Sequence, residues 1–479
     1  MVDRYDLVVL GGGAAGLTAS VVAGRLGARV ALVEREEQPG GDCLFWGCVP
    51  SKALLASAKL AHEMRTAARL GLEPIEPGID FARVMERVHA AVAEAGRRDT
   101  PEHLRREGVE VVRGHGAFAG PGLIDVDGRQ LRYRKAIIAT GSRPAQLPGL
   151  PDGHALTNET VFDLRGRPAR LAIVGGGSTG IELGQALARL GSAVTIVEAA
   201  ERLLSREEPE VGRLIAEALA DDGVAVETGA SVARVEAGEG GAGALVVGEV
   251  RVEYDRLLVA VGRRPDSQAL GLKRVGVART EEGWIRVDAR LRTTAPHVYA
   301  AGDAVGELMY THVAGYHGVL ATLNALFHAR RRADHSATPR VVFCDPELAS
   351  VGLTEAEAAA PPRRPPLVFR HDYADSDRAI TAADTRGFAK LVADRRGRLL
   401  GATVLAPAAG ESIAELARLV RDRATLADLA RVVHAYPTFG EGSVRAAEEW
   451  WSHRLMNPRG RRLLRPLLSL LAAVDRPRG

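Results

Sequence analysis

The sequence predicts an α/β protein with two Rossmann-like domains and a third, C-terminal region in which strands and helices alternate. A strand-like apolar run ending at Leu10 leads into Gly11-Gly12-Gly13-Ala14-Ala15-Gly16, and the next such run ends on Glu34. The same order recurs 164 positions later, at 175–180 and Glu198. Two domains of one plan are the simplest explanation of this internal repeat.

Length and composition agree with this plan. At roughly 100–200 residues per domain, 479 residues correspond to about three domains. Hydrophobic residues make up 46% and charged residues 26%, which excludes a disordered or fibrous chain. A net charge of +3 is too small for nucleic-acid binding across the surface. Three cysteines cannot form a secreted disulfide framework, so any bridge is expected to be catalytic.

Both glycine segments have the G-x-G-x-x-G spacing and the context of a dinucleotide-binding fingerprint. Each follows a strand, opens an apolar helix and is followed by a glutamate 18 positions after its third glycine, Glu34 or Glu198. The glycines permit a tight turn and close approach of a pyrophosphate, while the glutamate can accept ribose hydrogen bonds. At Glu198 a 2′-phosphate would meet repulsion of about 4 kcal/mol per charge, only partly offset by Arg202, which favours NADH and leaves NADPH possible.

Two cysteines lie five positions apart in a glycine-flanked segment, Gly40-Gly41-Asp42-Cys43-Leu44-Phe45-Trp46-Gly47-Cys48-Val49-Pro50-Ser51-Lys52. Pro50, ahead of an apolar run, predicts that a helix begins near Cys48. A helix N-terminus would favour a thiolate there. A redox pair and two buried packing cysteines are both compatible with this pattern. The third cysteine, Cys344, lies in a strand-like run and is expected to be structural.

A third region begins near 336 and lacks a glycine fingerprint. It has strand-like runs at 340–343, 388–393 and 399–405 and helical patterns at 410–421 and 425–433. Helix-like runs also lie near 51–70 and 81–106. The tail 454–479 carries seven arginines and one aspartate around an apolar run, and it could contact a membrane surface or pack on a partner subunit. Pro466 argues against one continuous tail helix.

The cysteine segment resembles the G-G-x-C-x4-C-V-P-S-K segment of the class I pyridine nucleotide–disulfide oxidoreductases, the family of dihydrolipoamide dehydrogenase, glutathione reductase and mercuric reductase. The resemblance runs from about 5 to 450 and includes both fingerprints and Thr293–Asp303, similar to the family's second FAD motif. It implies five segments: an FAD-binding first part (1–150), an NAD(P)-binding domain (151–267), a second FAD-binding, central part (268–335), an α+β dimerisation domain (336–453) and the basic tail (454–479).

The resemblance also implies the cofactors, FAD and NADH or NADPH, and the residues that serve them. Cys43 would exchange with substrate, Cys48 would face the flavin, and Lys52 would pair with Glu182 beside it. No bound metal ion is expected. The implied cofactor-binding residues are Gly11, Gly13, Gly16, Glu34, Lys52, Ala139, Thr140, Gly141, Gly175, Gly177, Gly180, Glu198, Gly262 and Asp303.

The C-terminal signature departs from the disulfide reductases, in which a His-Pro-Thr from the partner subunit acts as acid and base. Here the segment reads His434-Ala435-Tyr436-Pro437-Thr438-Phe439-Gly440-Glu441, with a tyrosine at the histidine position as in mercuric reductases. A tyrosine base would cost roughly 4 kcal/mol more than a histidine at pH 7. Tyr436, Glu441 and His434 are the candidate acid/base residues, and for His434 a packing role is favoured.

The resemblance implies a homodimeric enzyme with an active site shared between subunits. It would pass electrons from NAD(P)H through the cysteine pair to a small-molecule or protein-bound disulfide or dithiol, as dihydrolipoamide dehydrogenase does. Reduction of a metal ion, as in mercuric reductase, or of a quinone or other acceptor is the alternative. A flavin-binding interaction subunit with a vestigial disulfide is disfavoured by intact Lys52 and Glu182. With no signal peptide or apolar run of ~18 residues, a cytoplasmic location is expected.

Overall fold

The computed structural model describes residues 3–151, 153–456 and 458–475. The strands are β1 (Asp3–Leu10), β2 (Val30–Glu34), β3 (Val109–Arg113), β4 (Gly116–Gly120), β5 (Leu123–Val126), β6 (Arg129–Ile138), β7 (Ser142–Pro144), β8 (Arg170–Val174), β9 (Ala193–Val197), β10 (Ala225–Glu227), β11 (Val232–Ala237), β12 (Gly243–Val247), β13 (Val250–Tyr254), β14 (Arg256–Val259), β15 (Arg263–Pro265), β16 (Val298–Ala300), β17 (Arg340–Val342), β18 (Leu348–Gly352), β19 (Leu367–Asp372), β20 (Phe388–Ala393) and β21 (Leu399–Leu405).

The α-helices are α1 (Ala14–Arg25), α2 (Gly41–Phe45), α3 (Cys48–Arg65), α4 (Phe81–Ala95), α5 (Pro101–Arg106), α6 (Ser178–Arg189), α7 (Pro209–Asp221), α8 (Thr311–Phe327), α9 (Glu355–Ala359), α10 (Asp377–Thr381), α11 (Ala409–Asp422), α12 (Leu426–Ala430), α13 (Glu441–Leu455) and α14 (Pro458–Val474). The chain divides into two compact units, residues 1–65, 76–199 and 223–334 in the first and residues 66–75, 200–222 and 335–479 in the second.

The first unit contains two sheets with parallel strands at their centres. One has the order β3-β2-β1-β6-β5-β4, with β16 alongside β6, and the other has the order β10-β9-β8-β14. Their central strands β1 and β8 are almost fully buried beyond their first residues, which explains their continuous apolar sequence. Each leads through a glycine turn into a helix, α1 or α6. The prediction of two Rossmann-like domains is therefore confirmed.

A second, shorter internal repeat, Ala136–Pro144 and Leu257–Pro265, has a structural counterpart in the same unit. The Ser-Arg-Pro run of β7 pairs antiparallel with the Arg-Arg-Pro run of β15, so that Ser142 lies opposite Pro265 and Pro144 opposite Arg263. The two repeated segments thus form one two-stranded ladder. This pairing brings Arg263 beside Ser142, a contact on which the site depends.

The second unit contains an antiparallel sheet of order β17-β18-β21-β20-β19, against which α11 and α13 pack. Its core includes Tyr373, Leu391, Val404 and Trp450. The predicted strands at 388–393 and 399–405 are confirmed with those bounds, and the helix predicted at 410–421 runs from 409 to 422. The C-terminal α+β region is therefore also as predicted.

Residues 200–222 group with this second unit, although the sequence prediction joined them to the domain 151–267. Within the unit, Lys390 on β20 is buried and donates hydrogen bonds to Glu208 and Glu210 at 3.0 and 2.8 Å, and it lies 2.7 Å from Glu355. These ion pairs fix the start of α7 against the sheet. The predicted domain boundaries remain predictions.

Three expectations for the helices need correction. The helical pattern at 81–106 is interrupted between Ala95 and Pro101, where Thr100 caps a new helix. The pattern at 425–433 ends at Ala430. Helix α14 continues through Pro466, because one missing N–H donor leaves the other backbone hydrogen bonds of the helix available. Arg476 and Arg478 of the predicted tail lie outside the described residues. Among the described helices, none is long and apolar enough to cross a membrane.

Candidate active site

In the turns at 11–16 and 175–180, some glycines are required by the backbone conformation and others are not. Gly11 has φ +100°, and a Cβ at Gly16 would lie only 1.8 Å from the Gly11 carbonyl oxygen. In the second copy, a Cβ at Gly180 would lie 1.9 Å from the Gly175 oxygen. A Cβ at Gly13, by contrast, would meet nothing closer than 3.9 Å. The first and third glycines are therefore required by the turn itself.

The middle glycine leaves space in front of each helix N-terminus. A Cβ at Gly177 would have no described atom within 4 Å, and no described side chain caps α1 or α6 at Gly13 or Gly177. Open space beside uncapped N–H groups is what a pyrophosphate requires. Both turns therefore fit a dinucleotide.

The predicted glutamates occupy equivalent positions in the two copies. Glu34 accepts a hydrogen bond from the Gly12 N–H at 2.6 Å, and Glu198 accepts one from the Gly176 N–H, also at 2.6 Å. A carboxylate has further acceptor positions for ribose hydroxyls. Arg202, expected to soften the preference against NADPH, donates instead to the Ser205 and Glu207 carbonyls.

The two cysteines lie where α2 gives way to α3, which begins at Cys48 as predicted. Cys48 is exposed and Cys43 is partly exposed, so neither is a buried packing residue. The Thr311 hydroxyl, at the start of α8, lies 3.2 Å from the Cys48 sulfur, within hydrogen-bond distance.

These neighbours shift the pKa values of the two cysteines in opposite directions. The hydrogen bond from Cys43, a second from Thr311 and the charge of Lys52 lower the pKa of Cys48 to about 6, against the effect of burial. The pKa of Cys43 is raised well above its ordinary value, because its proton is held by Cys48 and because it is partly buried. The reduced pair therefore holds one thiolate, on Cys48, and one thiol.

Lys52 and Glu182 form the ion pair that the resemblance implies. The Lys52 Nζ donates to Glu182 Oε2 at 2.8 Å, between α3 and α6, and the Glu182 side chain is only 7% exposed. A buried carboxylate without this partner would be costly. The ion pair holds the Lys52 ammonium, which lies one helical turn after Cys48 on α3.

The remaining predicted cofactor residues border the same turns. Ala139 supplies the carbonyl against which Gly11 packs, and the Thr140 hydroxyl donates to the Asp266 carbonyl at 3.1 Å. Gly141 and Gly262 have φ of +72° and +117°. Asp303 accepts a hydrogen bond from Ser142 at 2.9 Å, and burial raises the pKa of its carboxyl group.

The candidate acid/base residues lie in the second unit. Tyr436 is exposed and donates a hydrogen bond to Asp377, and this bond together with the negative charge of Asp377 raises the pKa of Tyr436. The hydroxyl is thereby held as a proton donor. A role as a base at neutral pH becomes still less favourable than the sequence suggested.

His434 and Glu441, the other two candidates, each contact a charged side chain of the second unit. The ring nitrogens of His434 lie 2.9 Å from the Val432 carbonyl and 3.0 Å from Glu415, so both face hydrogen-bond acceptors. Glu441, at the start of α13, forms an ion pair with Arg445 at 2.6 Å. In the disulfide reductases that the sequence resembles, the partner of this glutamate is the imidazole of the catalytic histidine. Cys344 is buried, as expected, and its thiol donates to the Pro346 carbonyl.

Sequence reasoning missed residues that are distant in the chain. Thr311 is 263 positions from Cys48 and Asp377 is 59 positions from Tyr436. Asn158 and Arg263, which contact Asp42, were also missed. A signal existed only for Arg263, which follows Gly262 in the repeated Gly-x-Arg-Pro run.

Comparison with known proteins gives matches over nearly the whole chain. The family model of the pyridine nucleotide-disulphide oxidoreductases matches residues 5–318, and the model of the dimerisation domain of these enzymes matches residues 338–447. The chain is 37% identical to a dihydrolipoyl dehydrogenase of Thermus scotoductus, over 93% of this chain and 97% of that protein. It is 38% identical to a mercuric reductase of Streptomyces lividans, over 94% of this chain and 96% of that protein.

Solved structures agree in fold. LpdA from Mycobacterium tuberculosis superposes with a TM-score of 0.85 at 30% identity, covering 94% of this chain and all of that one. The Cu(II) complex of the HOCl-induced flavoprotein disulfide reductase RclA from Escherichia coli superposes with a TM-score of 0.82 at 27% identity, with the same coverage.

Proposed function

The chain belongs to the pyridine nucleotide-disulphide oxidoreductase family, and from that premise we propose that it passes electrons from NADH through Cys43 and Cys48 to a disulfide- or dithiol-type substrate. The observation that carries the proposal is the cysteine pair itself. A thiolate at Cys48 and a protonated, partly exposed Cys43 are the arrangement in which one sulfur can exchange with a substrate while the other resolves the mixed disulfide.

The enzyme is a flavoprotein that uses FAD and NAD(P)H, and its dimerisation domain indicates a homodimer. Bound FAD supplies the two-electron relay between the nicotinamide and the cysteine pair. Gly11, Gly13, Gly16 and Glu34 would hold it, and Gly175, Gly177, Gly180 and Glu198 would hold the nicotinamide cofactor. Glu198, with Arg202 bonded elsewhere, supports NADH over NADPH.

We further propose that Tyr436 and Glu441 of each subunit complete the site of the other, as the resemblance implies. In this role Tyr436 would donate a hydrogen bond to a leaving thiolate rather than act as a base, because Asp377 raises its pKa and so keeps the hydroxyl protonated. Lys52 and Glu182 would hold the charge beside the cofactor. The cytoplasmic location and the membrane contact of the tail remain predictions.

A metal-ion acceptor is the second candidate, and one observation favours it. Tyr436 stands where disulfide reductases have their histidine, and relatives of this chain include a mercuric reductase and a reductase solved as a Cu(II) complex. The chain has no additional cysteine pair near its C-terminus for metal delivery, since Cys344 is its third and last cysteine. A quinone or other non-disulfide acceptor belongs to the same alternative.

An anaerobic titration with NADH, followed by a panel of acceptors, tests the proposal. The wild-type protein should take up two electron pairs, one on FAD and one on the disulfide, and should reduce lipoamide or another disulfide. Cys43→Ser and Cys48→Ser should take up one pair and lose this turnover, whereas Cys344→Ala, the matched control, should retain both. Uptake of one pair by the wild type, or full disulfide turnover in Cys43→Ser, would refute it. Turnover with Hg²⁺, Cu²⁺ or quinones alone would favour the second candidate.

A further inference from the structure

The short segment between the two cysteines is bound by a side chain distant in sequence. The Asn158 side-chain amide donates to Asp42 Oδ1 at 2.9 Å and to the Trp46 carbonyl oxygen at 3.3 Å. Asp42 immediately precedes Cys43, and Trp46 lies two positions before Cys48. One NH₂ group, with its two hydrogens, therefore bridges both ends of helix α2.

The acceptor on the cysteine segment is itself fixed. Arg263 lies 3.3 Å from Asp42 Oδ1 and donates to the Ser142 hydroxyl at 2.6 Å and to the Ser142 carbonyl at 3.0 Å. The Ser142 hydroxyl in turn donates to Asp303 at 2.9 Å. Each donor in this series of hydrogen bonds faces an acceptor, and the contact with Arg263 orients the Asp42 carboxylate.

A five-residue helix has little stability of its own, because one helical turn fixes several backbone dihedrals for few hydrogen bonds. Gly40 precedes it with φ of +157°, Gly41 is its first residue with φ of +61°, and Gly47 follows its C-cap Trp46, so the helix lies between glycines. Without an external contact, the sulfur of Cys43 would sample positions away from Cys48. The contacts from Asn158 restrict that freedom where the two sulfurs must meet.

We infer that Asn158 is a positioning residue of the redox pair, which acts through Asp42 and Trp46 to hold Cys43 against Cys48 and so stabilises the intramolecular disulfide. This inference rests on the proposed function, because it presumes that the pair cycles between dithiol and disulfide. No bond to Asn158 forms or breaks in that cycle. As the sulfur–sulfur bond forms, two electrons leave the thiol–thiolate pair together with the one proton of Cys43, and in the enzyme bound FAD would accept the electrons.

The test is the redox equilibrium of the FAD-loaded protein with mixtures of oxidised and reduced dithiothreitol, read by alkylation of free thiols. Asn158→Ala should make the disulfide about tenfold easier to reduce, a shift of about 30 mV, because the effective concentration of one sulfur at the other falls. Thr160→Ala is the matched control, since Thr160 accepts from the Thr157 N–H in the same turn but does not contact the cysteine segment. It should leave the equilibrium unchanged.

A double-mutant cycle tests whether Asn158 acts through Asp42. Asp42→Ala should also weaken the disulfide, and the double variant should be no worse than the more severe single variant. Three results would overturn the inference: equal shifts in Asn158→Ala and Thr160→Ala, additive shifts in the cycle, or a lower melting temperature of Asn158→Ala with a wild-type equilibrium. If the wild type itself shows no thiol–disulfide transition, the proposed function fails and not only this role of Asn158.

Discussion

Removal of the Thr311 hydroxyl should raise the pKa of Cys48. The Thr311 hydroxyl lies 3.2 Å from the Cys48 sulfur, and this contact is one of the causes that lower the pKa of Cys48. A hydrogen bond to a charged group contributes ~1.5–3 kcal/mol, and one pKa unit corresponds to 1.36 kcal/mol. Cys48 is exposed, so water replaces part of the lost bond and the lower limit of about one unit applies.

Thr311→Val should therefore titrate near 7, whereas the wild type should titrate at about 6. At pH 7 the thiolate fraction would fall from about nine-tenths to about one-half. The assay is the thiolate absorbance of the anaerobically reduced protein as a function of pH, with Cys48→Ser as the blank. Thr311→Ser keeps a hydroxyl and should titrate as the wild type does. A wild-type pKa near 9, or a valine variant indistinguishable from the wild type, would refute the reasoning.

Three other predictions follow from the geometry. Tyr436→His should raise disulfide turnover at pH 7 by about tenfold or more, because a histidine can act as a base there; unchanged kcat would contradict the acid/base argument. Lys52→Met should lower the free energy of unfolding in denaturant titrations by about 2–4 kcal/mol, because it removes the ammonium that donates to the buried Glu182 carboxylate. The range is reduced because the Lys52 side chain is 35% exposed, and Lys52→Arg should retain most of the stability. Gly13→Ala should fold with the wild-type melting temperature yet bind less FAD, whereas Gly16→Ala should fail to fold stably because its Cβ collides with a carbonyl. An equal loss of stability in the two variants would contradict the fit of this turn to a dinucleotide.

The fold was predictable because its signals are local. A strand, a glycine turn and a helix follow one another within some 20 residues, and each copy of the repeat supports the other. The same is true of the α3 start at Cys48, which Pro50 indicates. The prediction for the tail was wrong because it rested on a single residue: Pro466 lies inside α14, although proline usually ends a helix.

The environment of the site was not predictable in the same way, because tertiary contacts create it. Cys48 could be recognised as a candidate from its spacing to Cys43. The lowered pKa of Cys48, however, also depends on Thr311, and no sequence spacing connects residues 48 and 311. Likewise, the tyrosine at 436 could be recognised in the sequence, whereas the aspartate that raises its pKa lies on another helix, α10. Local patterns place the reacting atoms, and distant residues set their acidity.

Even with Tyr436 in place of a histidine, the cysteine pair has a proton acceptor of its own. Cys43 keeps its proton in a hydrogen bond to Cys48, so the Cys48 thiolate is the group that can take this proton when Cys43 becomes the nucleophile. The leaving thiolate of a disulfide substrate would then need stabilisation, and a tyrosine with a raised pKa stays protonated and would supply it as a hydrogen-bond donor. A metal ion bound by both sulfurs instead requires that the shared proton be lost to solvent. On the proposed function, the histidine that is absent at position 436 would serve thiol–disulfide exchange in both directions, so Tyr436→His is expected to raise turnover in each.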